Sequence, residues 1–172
     1  VVAYHIYYKP IVDEPFVFIG RINDPTVTEF TFDIAENLSI AGCYAVTAVD
    51  SFDNESAITD SVCVDNCPVY ELPNVFTPGG DGMNDLFVPF PYRQVDKVDM
   101  KIFNRWGDLV FETDDPYILW DGTHLFEGNR ELSDGVYFYV CTVFEHRVEG
   151  IVPRELKGHV TLIHQLEKFP NN

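Results

Sequence analysis

The chain has 172 residues, with 28 Asp and Glu against 11 Lys and Arg, a formal charge of −17. Aromatic residues at 15% and a hydrophobic share of 46% supply material for a packed core, which excludes a disordered acidic chain. The charge excludes nucleic acid as the main partner and disfavours an anionic bilayer, since both are held by surplus Lys and Arg; no apolar run approaches the roughly 20 residues of a membrane span, so no direct membrane insertion is expected.

Residues 1–66 carry eleven acids against only Lys9 and Arg21, the pattern of a solvated, salt-tolerant surface. The chain opens inside a strand-like stretch, Val1-Val2-Ala3-Tyr4-His5-Ile6-Tyr7-Tyr8, and is read as a piece of a longer polypeptide whose leader would lie upstream. Nearly every periodic stretch has period two, so strands are predicted at Tyr4–Lys9, Phe16–Ile22, Glu29–Ile34, Cys43–Asp50 and Ser61–Asp65. Turn residues separate them: Pro10, Asp13-Glu14-Pro15, Asn23-Asp24-Pro25, Gly42 and Asp53-Asn54. The pattern pauses at Asn66-Cys67-Pro68, which divides the chain into domains 1–66 and 67–172.

The second part is predicted to form strands at Leu72–Thr77, Lys97–Trp106, Asp108–Thr113, Gly135–Phe144 and Leu156–Leu166. Val98, Met100 and Ile102 fall on one face of their strand, with Lys97, Asp99 and Lys101 on the other; Val160 and Leu162 alternate inward in the same way. One polar and one apolar face per strand predicts an all-β fold of two tandem antiparallel β-sandwiches. Of the four cysteines, the Cys63–Cys67 spacing has no second close pair or His-x3-His to complete a zinc site. An even number in an acidic β-rich chain fits disulfides and an oxidising compartment. The expected pairing is Cys43–Cys63 across neighbouring strands, leaving Cys67–Cys141, one of the three connectivities that four cysteines allow.

Leu38, Gly42, Tyr44, the run Ala45-Val46-Thr47-Ala48-Val49-Asp50 and Asn54-Glu55-Ser56 resemble the C-terminal two-thirds of a fibronectin type III domain. That resemblance implies a corner tyrosine at Tyr44 and two early strands lying outside this sequence. The second part resembles the gliding motility-associated C-terminal domain, the type B sorting domain of type IX secretion. The resemblance rests on seven blocks: Leu72-Pro73-Asn74-Val75-Phe76-Thr77-Pro78, Asp81-Gly82-Met83-Asn84-Asp85-Leu86-Phe87, Ile102-Phe103-Asn104-Arg105-Trp106-Gly107, Val110-Phe111-Glu112-Thr113, Trp120-Asp121-Gly122, Asp134-Gly135-Val136-Tyr137-Phe138-Tyr139 and Lys157-Gly158-His159-Val160-Thr161-Leu162-Ile163. The family usually has Asn after the Thr77-Pro78 pair, where this chain has Gly79.

The resemblance implies an Ig-like sorting domain that is not an enzyme. Such a domain directs a large cargo protein through an outer-membrane translocon to shuttle or anchoring proteins, and so to the cell surface or the medium. It also places partner-docking residues at Asp81, Asn84, Asp85, Arg105, Lys157 and Gly158, with the final strand Leu156–Leu166 and the Asp81–Asp85 loop as the docking region and a partner strand added to an exposed sheet edge as the mode. The alternative is an extracellular adhesion module, calcium-stabilised or carbohydrate-binding, with Tyr7, Tyr8, Tyr137 and Tyr139 as candidate sugar platforms. No cofactor other than Ca²⁺ is indicated.

Asp81, Asn84 and Asp85 are candidate Ca²⁺ ligands in a glycine-rich loop. The loop lacks the EF-hand alternation and reads more readily as a glycine-rich turn in which these side chains bond their own backbone. Asn104-Arg105-Trp106-Gly107-Asp108 reads as a hairpin turn, with Trp106 expected in the core and Arg105 exposed as a hot-spot residue or paired with an acid. Trp120 is expected in the core, with Asp121-Gly122 as a turn. Asp114, Asp115, Asp121 and Asp134 offer carboxylates for a glycosidase-like pair, but so many acids create close pairs without function. No nucleophile motif or phosphate-cradling loop accompanies them.

Overall fold

In the computed structural model, residues 1–31, 39–58 and 60–164 are described. All regular structure among them is β. The chain falls into two compact units, Val1–Cys67 with His146–Val152, and Pro68–Glu145 with Pro153–Asn172.

The first unit is a four-stranded antiparallel sheet of β1 (Ala3–Lys9), β2 (Val17–Ile22), β3 (Gly42–Val49) and β4 (Ser61–Val64), in the order β2-β1-β3-β4. Strand β1 pairs with β2 on one side and β3 on the other, and its Ala3 and Ile6 are buried, as are Cys43, Ala45 and Val49 on β3. Cys43 and Cys63 stand directly opposite on β3 and β4 and are joined by a disulfide, as expected. Of the predicted strand Glu29–Ile34, residues 29–31 are not in a strand, and 32–34 lie outside the described residues, as does Leu38. The hydroxyl of Tyr8 donates to the carbonyl of Ala41 at 2.9 Å, and the Tyr8 ring lies 5.1 Å from that of Tyr44.

Asn66 shows what happens where the strand pattern pauses. Its side chain is buried at 2% exposure. Its Oδ1 accepts the N–H groups of Ile40 and Ala41, and its Nδ2 donates to the Ser39 hydroxyl and the His146 carbonyl. A buried amide must satisfy its donors and acceptors, and Asn66 uses both ends.

The second unit is built on a five-stranded sheet in the order β6-β13-β12-β8-β9. Its strands are β6 (Val75–Phe76), β8 (Val95–Phe103), β9 (Leu109–Thr113), β12 (Gly135–Arg147) and β13 (Gly150–Leu162). The β8–β9 and β8–β12 pairs are antiparallel, whereas β6 runs parallel to the end of β13. Two short ladders complete the unit: β5 (Val69–Tyr70) with β7 (Tyr92–Arg93), and β10 (Thr123–His124) with β11 (Arg130–Glu131).

The period-two reading holds in the core: Val98, Met100, Ile102, Val160 and Leu162 are all buried. Trp120 is the centre of that core, with 0% exposure. Its ring stands 5.1 Å from Phe76, 5.6 Å from Tyr137 and 5.9 Å from Phe111, and its indole N–H donates to the carbonyl of Thr123 at 2.9 Å. Such aromatic pairs contribute about 0.5–1.5 kcal/mol each beyond their burial. One ion pair also lies in this interior: the carboxylate of Glu145, 2% exposed, accepts from Nε of Arg154 at 2.5 Å.

Candidate functional site

Strand β13 owes its functional interest to what lies beside it. Burial alternates without a break along Gly150–Leu162, so the backbone is regular and its polar groups alternate in direction. Near the end of the strand, the N–H of Thr161 donates to Asn74 and that of Ile163 to Phe76. Odd-numbered residues therefore turn their N–H and C=O groups toward β6. Strand β6, however, pairs only with Thr161 and Leu162. Among the described residues no strand lies beside Glu155, Lys157 and His159 on that side, and these three present unpaired N–H and C=O groups at a sheet edge.

Pro153 falls in the same register. Its missing N–H is on the edge side and costs the β12–β13 ladder nothing, which is where a sheet tolerates proline. The side chains of Glu155, Lys157 and His159 are exposed. Gly158 points the other way. A Cβ there would sit 2.5 Å from the Tyr139 hydroxyl oxygen and 2.7 Å from its Cζ, so glycine is required for close ring-to-backbone packing.

The loop after β6 is organised by one carboxylate. Oδ1 of Asp85 accepts the N–H groups of Gly79 and Gly80 at 3.0 and 2.7 Å, and Oδ2 accepts that of Gly82 at 2.7 Å. The Gly79 and Gly82 amides lead in holding the Asp85 carboxyl below its ordinary value. Asp81 Oδ1 accepts from Met83 N–H, and the Asn84 carbonyl accepts from Thr77 N–H. This is the backbone-bonded turn. Among the described residues no group of three or more His, Cys, Asp or Glu side chains is placed to hold a metal ion. Because β6 runs parallel to β13 and Thr77 follows it directly, the loop leaves the sheet past Leu162, at the end away from the open stretch of β13. Lys157 lies four residues before Thr161, about 13 Å along the strand. Asp81, Asn84 and Asp85 therefore lie beyond the Leu162 end of the β6–β13 side of the sheet, and Lys157 and Gly158 lie short of it on β13.

Arg105 is not among them. It sits in the β8–β9 turn, and β9 forms the opposite side of the five-stranded order. There Asn104 Oδ1 accepts the N–H groups of Trp106 and Asp108, both at 2.9 Å, and Gly107 has φ +89°. The expectation that Trp106 is core is corrected: it is 73% exposed. Strand β8 ends at Phe103, so the inward alternation stops before Trp106, and the Asn104 side chain takes over the backbone. The Arg105 guanidinium lies over the indole with its carbon 4.2 Å from the ring centroid, a cation–π contact.

The pairing of Cys67 with Cys141 is also corrected. Cys141 is fully buried on the inner face of β12, whereas Cys67 is exposed, and neither is in a disulfide. Burial leads in raising the Cys141 thiol to about 12, with the Asp99 charge adding to it. Three of the four acids considered as catalytic carboxylates serve local turns or termini. Asp115 accepts from Tyr117 N–H, Asp121 from Thr123 N–H and hydroxyl, and Asp134 from His164 N–H, with the His164 ring 2.6 Å away. Of the tyrosines considered as sugar platforms, Tyr137 is buried and Tyr139 packs against the core. The hydroxyl of Tyr7 donates to Glu55 at 2.6 Å.

The residues that the sequence pattern missed line a cleft of about 790 Å³ beside the β8–β9 turn, among them Phe126, Glu127, Arg130 and Glu131. Their signal was only a polar stretch between short ladders. No curated protein matches the chain. The CHU_C type IX secretion signal domain matches residues 70–162, which span β5 through β13 and include both the open β13 edge and the Asp85 loop. The chain therefore belongs to the CHU_C type IX secretion signal domain family, sorting domains that mark proteins for export across the outer membrane to the cell surface or the medium.

Proposed function

We propose that this sorting domain engages its outer-membrane partner by adding a partner strand at the open edge of β13. The observation that carries the reading is the row of outward backbone groups at Glu155, Lys157 and His159. Paired main-chain hydrogen bonds supply affinity in such strand addition, and side-chain pockets on alternate residues supply register. A long open edge invites indiscriminate pairing unless it is blunted, and Pro153 and the Lys157 charge blunt this one. A partner must therefore match the edge from Glu155 onward.

Substitution of Lys157 by proline tests this directly. The residue loses an N–H that faces the edge, not the β12 ladder, so the fold should tolerate the change as it tolerates Pro153. In a cell with a working type IX system, Lys157→Pro should leave a fused reporter in the periplasm, while Lys157→Gln, which keeps the N–H, should still export it. Export of both variants at the wild-type level overturns edge docking. Failure of Lys157→Gln alone assigns recognition to the lysine charge instead.

A further inference from the structure

The cleft beside the β8–β9 turn is a formed concavity that the sorting role does not use. Its volume of about 790 Å³ lies within the range of about 300–1,000 Å³ occupied by small-ligand sites. Its walls mix exposed aromatic and charged side chains: Trp106 at 73% exposure, Phe126 at 53%, Arg105, Glu127, Arg130 and Glu131.

Trp106 contributes nothing visible to the fold. Asn104 and Gly107 hold the turn, and the indole is out of the core. Arg105 lies over the indole, and Trp106 as a whole remains 73% exposed. An exposed ring braced in this way is a rigid platform, costing little conformational entropy when a ligand stacks on it. Phe126 stands in the same wall, with its ring edge-on to His124 at 6.2 Å.

The charges decide what can stack there. Arg130 is already paired with Glu127 at 2.6 Å, and Arg105 lies on Trp106. Asp108, Glu127, Glu131 and Asp134 outnumber the two arginines in the lining, so a phosphate or an acidic sugar meets net repulsion. A purely apolar ligand would bury carboxylates and a guanidinium without replacing their water, at a cost of several kcal/mol. The chemistry that fits both halves is an uncharged pyranose chain. Its C–H face covers the exposed indole, and its hydroxyls hydrogen-bond to carboxylate and guanidinium at the rim.

We infer that this cleft binds a short neutral oligosaccharide by stacking on Trp106. The second activity is independent of the β13 edge and would give the exported domain a glycan contact at its destination.

The chain holds two tryptophans, and Trp120 is fully buried. Intrinsic fluorescence therefore reports ligand stacking through Trp106. The test titrates the 172-residue chain with cellotriose, maltotriose, mannotriose and chitotriose, alongside trigalacturonate and trilysine. At least one neutral probe should give a saturable blue shift, confirmed by calorimetry. Trp106→Ala should weaken that binding by about tenfold or more, and Lys157→Pro should leave it unchanged. A neutral-probe response that survives Trp106→Ala, or none up to millimolar concentration, overturns the inference. A response confined to trilysine or trigalacturonate also overturns it and assigns the cleft to a charged ligand. Since Trp106 packs on no core residue, Trp106→Ala is expected to fold, and unchanged far-ultraviolet circular dichroism checks this.

Discussion

Gly158 offers the sharpest energetic test of the packing beneath the proposed docking edge. In Gly158→Ala the added Cβ would lie 2.5 Å from the Tyr139 hydroxyl oxygen, 2.7 Å from Cζ and 3.1 Å from Cε1. Ordinary carbon contacts lie at about 3.5–4.0 Å, so the ring must retreat by roughly 1 Å. It has little room, because Tyr139 packs on Phe87 with ring centroids 6.1 Å apart, and Phe87 belongs to the Trp120 cluster. Overpacking of this kind costs about 1–3 kcal/mol. With a urea dependence near 2 kcal/mol per molar, the unfolding midpoint of the second unit should fall by about 0.5–1.5 M. The control is Tyr139→Ala. With the ring gone, alanine at 158 restricts the unfolded chain and packs better in a strand than glycine, so the same substitution should be neutral or stabilising by about 0.5–1 kcal/mol. Urea titration of the four-member cycle reads the coupling. An equal cost for Gly158→Ala in both backgrounds would refute the argument that Tyr139 is the reason for glycine here.

Other expectations concern the remaining chemistry. Replacing both Cys43 and Cys63 by serine opens a loop with a sequence separation of 20 and should cost the first unit about 3 kcal/mol on the chain-entropy account, read by urea unfolding. An undiminished midpoint would contradict it. Under native conditions maleimide should label the exposed Cys67 and spare Cys141, whose buried thiol is pushed up to about 12; mass spectrometry of tryptic peptides distinguishes them. The folded-state carboxyl of Asp85 is depressed by the amides it accepts, so its contribution to loop order is present above the ordinary carboxylate range. That contribution is lost as pH falls through the lowered folded value. The protection of the Gly79, Gly80 and Gly82 amides against hydrogen exchange, taken relative to the intrinsic rate at each pH, should therefore fall in acid, and Asp85→Asn should flatten that dependence. A wild-type profile in the variant would refute the role of the charge.

How much of this could be read from the sequence depended on whether the signal was local. The alternation of Val98, Met100 and Ile102 is local, and the structure buries all three. The Cys43–Cys63 bond follows from two adjacent strand patterns and is present. Trp106 was misplaced because period two was extended past Phe103 into a turn, where Asn104 rather than side-chain burial sets direction. Cys67 and Cys141 were paired by elimination, which says nothing of whether one thiol is buried in a core and the other exposed. Ladders of two residues, such as β5–β7 and β10–β11, are shorter than any periodic signal. The family blocks pointed to Leu156–Leu166 as a docking strand, but which side of it stays open was not visible. It depends on β6 ending after two residues and pairing in parallel with a strand 86 positions later, and no local pattern encodes that. Pro153 was the single residue that marked the edge, and its meaning appears only once the ladder direction is known.

The central claim is that this domain sorts its cargo for export through the β13 edge. The most direct measurement fuses the 172-residue chain to a periplasmic reporter in a bacterium with a working type IX system and locates the reporter by fractionation. The account predicts reporter at the cell surface or in the medium for the wild-type fusion, and in the periplasm for Lys157→Pro and for a strain without the translocon. A wild-type fusion that stays in the periplasm would contradict the sorting role, and a Lys157→Pro fusion that is exported normally would contradict the edge.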